Sequence, residues 1–427
     1  MRTAILELLR FDLLSKSEHK WLYAYMLLFV PYAFTSELVD PLLALSITVF
    51  AAAPLNPAFL IFVFYILWEY VTTFSFGVTV VLIMQVIMVC KLVINRALFK
   101  QYTNTTYRKI RKLFLFLVCY MFAIGMASFA LGNGFTGLGF FFKVTIVSYV
   151  LTYHVSDRSF DKLLKSILQV LMISSLLATI YGMNHELEVD RWISGMGGYV
   201  TQIQGTLGTT RMALFYLTSI VFFVYYVKNP IVKSVGVICF TALTFLTVSL
   251  TAMVLLVVLF AIYMFSIGKI YKTIIYSIIC VTIAISTFPI WSKMEIIQPI
   301  IFRTTYSLEA YMSGDSNKAT SNREDLGEFY IKSWEKSDPI IQLFGNANTA
   351  VSVTSNDKNS HNTYLDILFY FGVLGLVLLV VYQAKRLWLS RHTVYFYPYF
   401  TVKVLFILGA ASVSIMSATY YMFIIFI

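Results

Sequence analysis

The stretch NSHNTYLDILFYFGVLGL, Asn359 to Leu376, passes from hydrophilic residues to an apolar run within a few positions. The polar part closes a long hydrophilic segment, and the apolar part continues through Tyr382. A run of that length matches the roughly 20 residues an α-helix needs to cross ~30 Å of hydrocarbon. An imidazole, His361, stands where the two parts meet. The stretch therefore reads as a membrane edge. What the histidine does there depends on which face of the bilayer it occupies and which other ionisable groups reach it.

The rest of the chain repeats this pattern. Of its 427 residues, 59% are hydrophobic, 17% aromatic and only 12% charged. Soluble domains carry roughly twice that charged share, so this much apolar surface calls for lipid. Lipid admits helices or closed barrels, and continuous rather than alternating hydrophobicity selects helices. The expected fold is all-α and polytopic, a bundle of about 12–14 transmembrane helices. The opening residues, MRTAILELLRFDLLSKSEHK, mix charge with leucine and lack a small-residue cleavage site, so the first span is expected to act as the anchor. Cys90, Cys119, Cys239 and Cys280 lie in or beside apolar runs without CxxC spacing. They read as buried small hydrophobes, not as metal ligands or disulfides.

A net charge of +11 could suggest nucleic acid, but in a membrane protein the placement of the charge comes first. Spans are expected at 21–36, 38–53, 56–74, 76–94, 113–131, 139–153, 166–183, 212–227, 233–250, 252–267, 273–291, 363–382 and 398–427. The loops between them alternate in basicity. Lys and Arg gather at the N-terminus and in 95–112, 154–165, 228–233, 268–272 and 383–397. By the positive-inside rule those loops face the cytoplasm. The turns near 132–138 and 251, the loop 184–211 and the segment 292–362 then lie outside. In the last, nine acids face seven bases. Three parts follow: transmembrane helices with one external loop over 1–291, a large external loop with short amphipathic helices over 292–362, and C-terminal helices over 363–427.

The 292–362 segment is too long for a simple connector. Ser321-Asn322-Arg323-Glu324 reads as a capping box, and Leu326, Tyr330 and Trp334 follow at helical spacing before Asp338-Pro339 stops the helix. Arg323 falls on the same stripe, which calls for an anion or dipole to meet it, or for a snorkelling or capping role. Arg303 sits on a second candidate helix begun near Pro299. Arg191 and Arg211 belong to the other external loop, with Arg211 at the start of a span. At the outer start of the 363–382 span, Asn362 or Ser360 is a candidate cap, and His361 is either an incidental interfacial residue or a base. A helix N-terminus and nearby arginines would hold the imidazole neutral. Glu69 and Lys143 lie within expected spans toward the outer half and are expected to face one external cavity, where they could pair. Together these charges suit an anionic head group on a lipid tail, since arginine matches phosphate oxygens in bidentate geometry. No DxD, HExxH, EF-hand loop or P-loop is present, so neither a metal nor ATP hydrolysis is supported.

In these residues the chain resembles the O-antigen ligase and Wzy-type polysaccharide polymerase superfamily of bacterial envelope glycan enzymes. The resemblance rests on Ser360-His361-Asn362-Thr363-Tyr364-Leu365 followed by Gly372-Val373-Leu374-Gly375, and on Arg323 through Trp334 followed by Asp338-Pro339-Ile340-Ile341-Gln342-Leu343-Phe344-Gly345. Gly205 through Ala213 is similar to the family's Gly-rich lead into a helix, but Thr209-Thr210-Arg211 replaces the usual Asn-Pro-Asn. The resemblance implies a GT-C-like, metal-independent, inverting glycosyltransferase of the bacterial cytoplasmic (inner) membrane, with its site outside and no cofactor. It implies that His361 deprotonates or orients the acceptor hydroxyl, and that Arg323, with Arg303, Arg191 and Arg211, binds the diphosphate. Asn362, Glu69 and Lys143 join the substrate-binding candidates.

Within such a family a polymerase extends a glycan carried on undecaprenyl diphosphate, whereas a ligase moves it to lipid A core or protein. The missing Asn-Pro-Asn favours the polymerase. Expected partners are an undecaprenyl-diphosphate-linked oligosaccharide, membrane lipids and a chain-length-regulating membrane protein, with no nucleic acid. A flippase or transporter is a separate alternative, weakened because the charges gather on one side instead of around a midplane site. A scaffold without chemistry is another.

Overall fold

The computed structural model of the chain describes residues 8–34, 39–68, 80–95, 105–130, 136–153, 157–184, 189–193, 198–202, 209–268, 286, 289, 292–293, 298–314, 323–346 and 362–412. Its helices are α1 (His19–Phe34), α2 (Val39–Ala52), α3 (Leu55–Tyr65, extended by a 3₁₀ turn Ile66–Trp68), α4 (Val80–Ile94), α5 (Thr105–Ala130), α6 (Thr136–Ile146, followed by the turn Ser148–Leu151), α7 (Asp157–Asn184), α8 (Thr209–Tyr226), α9 (Pro230–Leu246), α10 (Leu250–Ser266), α11 (Gln298–Met312), α12 (Arg323–Glu335), α13 (Pro339–Phe344), α14 (Thr363–Ser390) and α15 (Phe396–Gly409). The expected spans fall on these helices wherever residues are described. Most of 273–291 and the end of the last span lie outside the described residues. In the 184–211 loop the described residues form an antiparallel hairpin of β1 (Val189–Ile193) and β2 (Gly198–Gln202) with Arg191 opposite Val200.

Local chemistry explains where helices begin. Asn229 caps α9, its Oδ1 accepting from Ile231 N at 3.0 Å and Val232 N at 3.1 Å, with Pro230 in the first turn. Asp338 caps α13 in the same way, accepting from Ile340 N at 2.8 Å with Pro339 next. The Asp338-Pro339 pair thus follows the end of α12 at Glu335, as expected, and also starts a second short helix.

Burial places α7 at the centre. The most apolar window of α7 is 72% buried, against 50% for α14 and 33% for α5. It packs on α1, α3 and α8, while α8 also meets α9, α10 and α15. Hydroxyls fill the polar needs of this interior: Trp68 Nε1 donates to Ser174 Oγ at 3.1 Å, and that hydroxyl donates to the Phe64 carbonyl at 2.6 Å. On the periphery, α5 pairs with α6 and α14.

The outward faces are apolar. Leu27, Ile94, Ile238 and Val257 are each at least 66% exposed, and a chain that leaves so many large aliphatic side chains uncovered is made for lipid contact. Three described helices, over Tyr107–Ala130, Arg158–Asn184 and Thr363–Ser390, are long and apolar enough to cross a membrane, and eight shorter apolar helices accompany them. The cysteines correct one expectation. Cys90, Cys119 and Cys239 are free and exposed, lying on the outward faces and not in the interior, while Cys280 lies outside the described residues. A thiol covered by lipid is out of reach of a charged, water-soluble reagent. A charged maleimide should therefore leave these three unlabelled in intact membranes and label them after denaturation, as read by mass. Rapid labelling of the native protein would mean that water, not lipid, covers those faces.

Arg386 corrects another expectation. The sequence places it in the basic loop 383–397, but α14 runs on to Ser390 and buries it. Its Nη1 donates to the Tyr382 hydroxyl at 3.0 Å, and its guanidinium lies 5.5–5.9 Å from the ring centres of Phe160, Tyr382 and Tyr399. Aromatic faces let a cation sit inside at a cost that bare hydrocarbon would not permit.

Candidate functional site

The start of α14 carries Asn362, and two helices of the 292–362 segment dock on it. Asn362 is its cap: the side-chain Oδ1 accepts from Tyr364 N at 2.9 Å and Leu365 N at 3.4 Å, while its carbonyl accepts from Asp366 N at 3.2 Å. Of the two candidate caps, Asn362 fills the position. His361 lies outside the described residues, immediately before this cap. Asp366, one turn into the helix, is 2% exposed. A carboxylate buried in the first turn of a helix is favoured by the helix dipole, and it had no sequence signature beyond its neighbours.

Two helices of the 292–362 segment pack on this first part of α14. The expected stripe of α12 is real: Tyr330 is fully buried, forms a cluster with Leu365 and Phe369, and draws in Leu326 and Trp334. The Tyr330 and Phe369 rings meet edge to face, 6.1 Å between centres. Trp334 Nε1 is buried with no acceptor among the described residues. On the opposite face Lys332 pairs with Glu328 one turn back, and that hydrogen bond and charge push the lysine above its ordinary pKa. Arg323 is the first residue of α12, and Arg303 lies in α11, whose start near Pro299 matches the sequence reading. The side chains of Arg323, Arg303 and Arg191 lie outside the description. Truncating Tyr330 to alanine should cost about 3 kcal/mol by the precedent of buried aromatic truncations. It should release α12 from α14, seen as new protease cleavage within 323–335 and unchanged cleavage elsewhere.

The helix α13 makes a closer junction. α14 is broken at Gly372, where φ is 62° and ψ is −172°. The break interrupts the i→i−4 ladder, leaving carbonyls at the end of the first half to find partners elsewhere. Asn346 N, just past α13, donates to the Phe369 carbonyl at 3.0 Å. The Tyr120 hydroxyl, from α5, lies 2.7 Å from the Phe371 carbonyl and 3.0 Å from the Phe344 carbonyl at the end of α13. Gly345 opposes Gly372 with φ 77° and ψ 173°, and a Cβ on either glycine would run into the backbone of the other segment. Both glycines occupy a region of φ/ψ space that is essentially closed to other residues. The sequence showed Gly372 and Gly345 as members of a pattern. It did not show that they touch.

Elsewhere the candidates scatter. Arg211 is half-buried in the first turn of α8. Beside it, Thr210 Oγ1 lies 3.2 Å from Ser249 Oγ, in the turn that joins α9 to α10. Val248 in that turn has φ 50°, a genuine strain for a β-branched residue. Lys143 is half-buried in α6, and Glu69, its expected partner, lies outside the described residues, as do Ser321 and Asn322 of the capping box. Among the described residues no three His, Cys, Asp or Glu side chains converge as a metal site would need. No protein-family model, curated protein or solved structure matches the chain.

Proposed function

We propose that the chain polymerises repeat units of a bacterial surface polysaccharide, transferring the growing glycan from undecaprenyl diphosphate to the next lipid-linked unit on the external face of the cytoplasmic membrane. The observation that supports this most is the docking of α12 and α13 on the first half of α14. It makes one packed unit of the helix that begins at Arg323 and the start of α14, whose cap is Asn362. Apolar helix walls below and a polar segment above suit a substrate that is half lipid and half glycan. The strained turn at Val248, whose following Ser249 meets Thr210 at the start of α8, adds a second place where conformation is held against its local preference.

In this reading the acceptor hydroxyl gives its proton to His361 as its oxygen bonds to the anomeric carbon of the donor sugar. The bond from that carbon to the diphosphate oxygen breaks with inversion. Undecaprenyl diphosphate departs with its developing charge matched by Arg323 and the other external arginines. The test is purified protein in nanodiscs, given undecaprenyl-diphosphate-linked repeat units and resolved on a glycan gel. A ladder supports polymerisation. No ladder from a substrate that a known polymerase extends would overturn it, and adding lipid A core to the same mixture would show whether transfer to another acceptor takes its place.

A further inference from the structure

The junction of α13 with α14 does more than fasten a loop. Measured along α14, Gly372 lies ten residues past Asn362, roughly 15 Å at 1.5 Å per residue. Tyr120 lies ten residues before the end of α5 at Ala130, a similar depth. The end of α13 therefore sits beside the interior of two membrane-length helices instead of resting over their tips. Irregular backbone at that depth is stable only where protein satisfies its polar groups. Here it is satisfied from both sides, by Asn346 N on the Phe369 carbonyl and by the Tyr120 hydroxyl on the carbonyls of Phe371 and Phe344. A phenol has one proton to give, so a single hydroxyl is shared between the end of α13 and the end of the first half of α14. It ties the two to each other and to α5.

The consequence is mechanical. Residues 363–371 form a short helical rod that starts at the Asn362 cap and ends at the break at Gly372, with the Tyr364 hydroxyl donating to the Ile407 carbonyl and with Leu365 and Phe369 packed on Tyr330. We propose that α13 is a re-entrant wedge held in the break of α14 by Tyr120, and that Tyr120 is a positioning residue that fixes where the first half of α14 and its Asn362 cap stand. This rests on the glycosyl-transfer reading for its catalytic consequence and not for the wedge itself.

Tyr120→Phe removes the shared proton and keeps the ring, so the packing of α5 survives. Hydrogen exchange in nanodiscs should show amides of 339–346 and 363–371 opening about 5-fold faster, the equivalent of one hydrogen bond of about 1 kcal/mol. In the polymerisation assay kcat should fall about tenfold while KM for the lipid-linked donor stays within about twofold, as loss of alignment and not of binding predicts. Tyr225→Phe is the control: its hydroxyl lies 3.3 Å from Thr401 Oγ1, remote from the wedge, and it should leave both segments and kcat unchanged. Gly345→Ala, which attacks the wedge from the other side, should reproduce the exchange pattern of Tyr120→Phe. Unchanged exchange in Tyr120→Phe would overturn the wedge. Faster exchange with unaltered kcat would overturn the positioning role. If the wild type makes no product from competent substrate, the glycosyl-transfer reading fails by itself, and the exchange measurements still decide the wedge.

Discussion

Gly372→Ala should unseat α13 and lower stability by about 3 kcal/mol, a combination of forbidden φ/ψ and backbone collision. The first contribution is conformational: at φ 62° and ψ −172° an L side chain is strained whatever surrounds it. The second is steric. The added Cβ would meet the Leu343 carbonyl and Gly345 N well inside the 3.0 Å that such contacts keep, and both belong to backbone, which cannot swing aside as a side chain does. The expected result is a lowered Tm in detergent, fast exchange in 339–346 and loss of product. Gly327→Ala supplies the contrast. That glycine is inside α12 with nothing within 4 Å of the added methyl, so alanine should raise helix stability by up to about 1 kcal/mol. If Gly372→Ala were as mild as Gly327→Ala, the backbone junction between α13 and α14 would be wrong.

His361→Ala should reduce glycan transfer by about 10²- to 10⁴-fold, the range a positioned general base contributes, with almost no change in Tm. The cap of α14 is the Asn362 carboxamide, so the helix start keeps its own cap hydrogen bonds in His361→Ala. Asn362→Ala should do the reverse to stability, costing about 1 kcal/mol through the lost cap. A glycan gel run as a time course and a thermal melt on both variants separate the two roles. A His361→Ala enzyme within tenfold of wild type would remove the base from the mechanism. Equal losses of Tm in both variants would show that His361 and Asn362 both act on stability.

The two experiments bear on different links. Gly372 tests whether the fold holds a wedge, and His361 tests whether the residue that precedes the Asn362 cap does chemistry. Tyr120 joins them, because its hydroxyl reaches both the wedge and the rod.

Helices and their approximate limits were legible in the sequence because hydrophobic run length and capping chemistry act locally. The stripe Leu326, Tyr330, Trp334 was legible for the same reason, and Tyr330 is buried as its spacing required. Asn362 was legible as one of two caps, and which one filled the position depended on side-chain geometry. The sequence by itself determined that this is a chain of apolar helices with a long polar segment before residue 363 and an imidazole at the junction. Only the tertiary structure decided that Arg386 leaves its loop for an aromatic cage, that Cys90, Cys119 and Cys239 face outward, and that Gly345, Gly372 and Tyr120 meet. The physical reason is separation along the chain. Periodicity reports what a residue does within its own helix, whereas the contact of Tyr120 with Phe371 joins positions 251 residues apart, and nothing in either local pattern encodes the other.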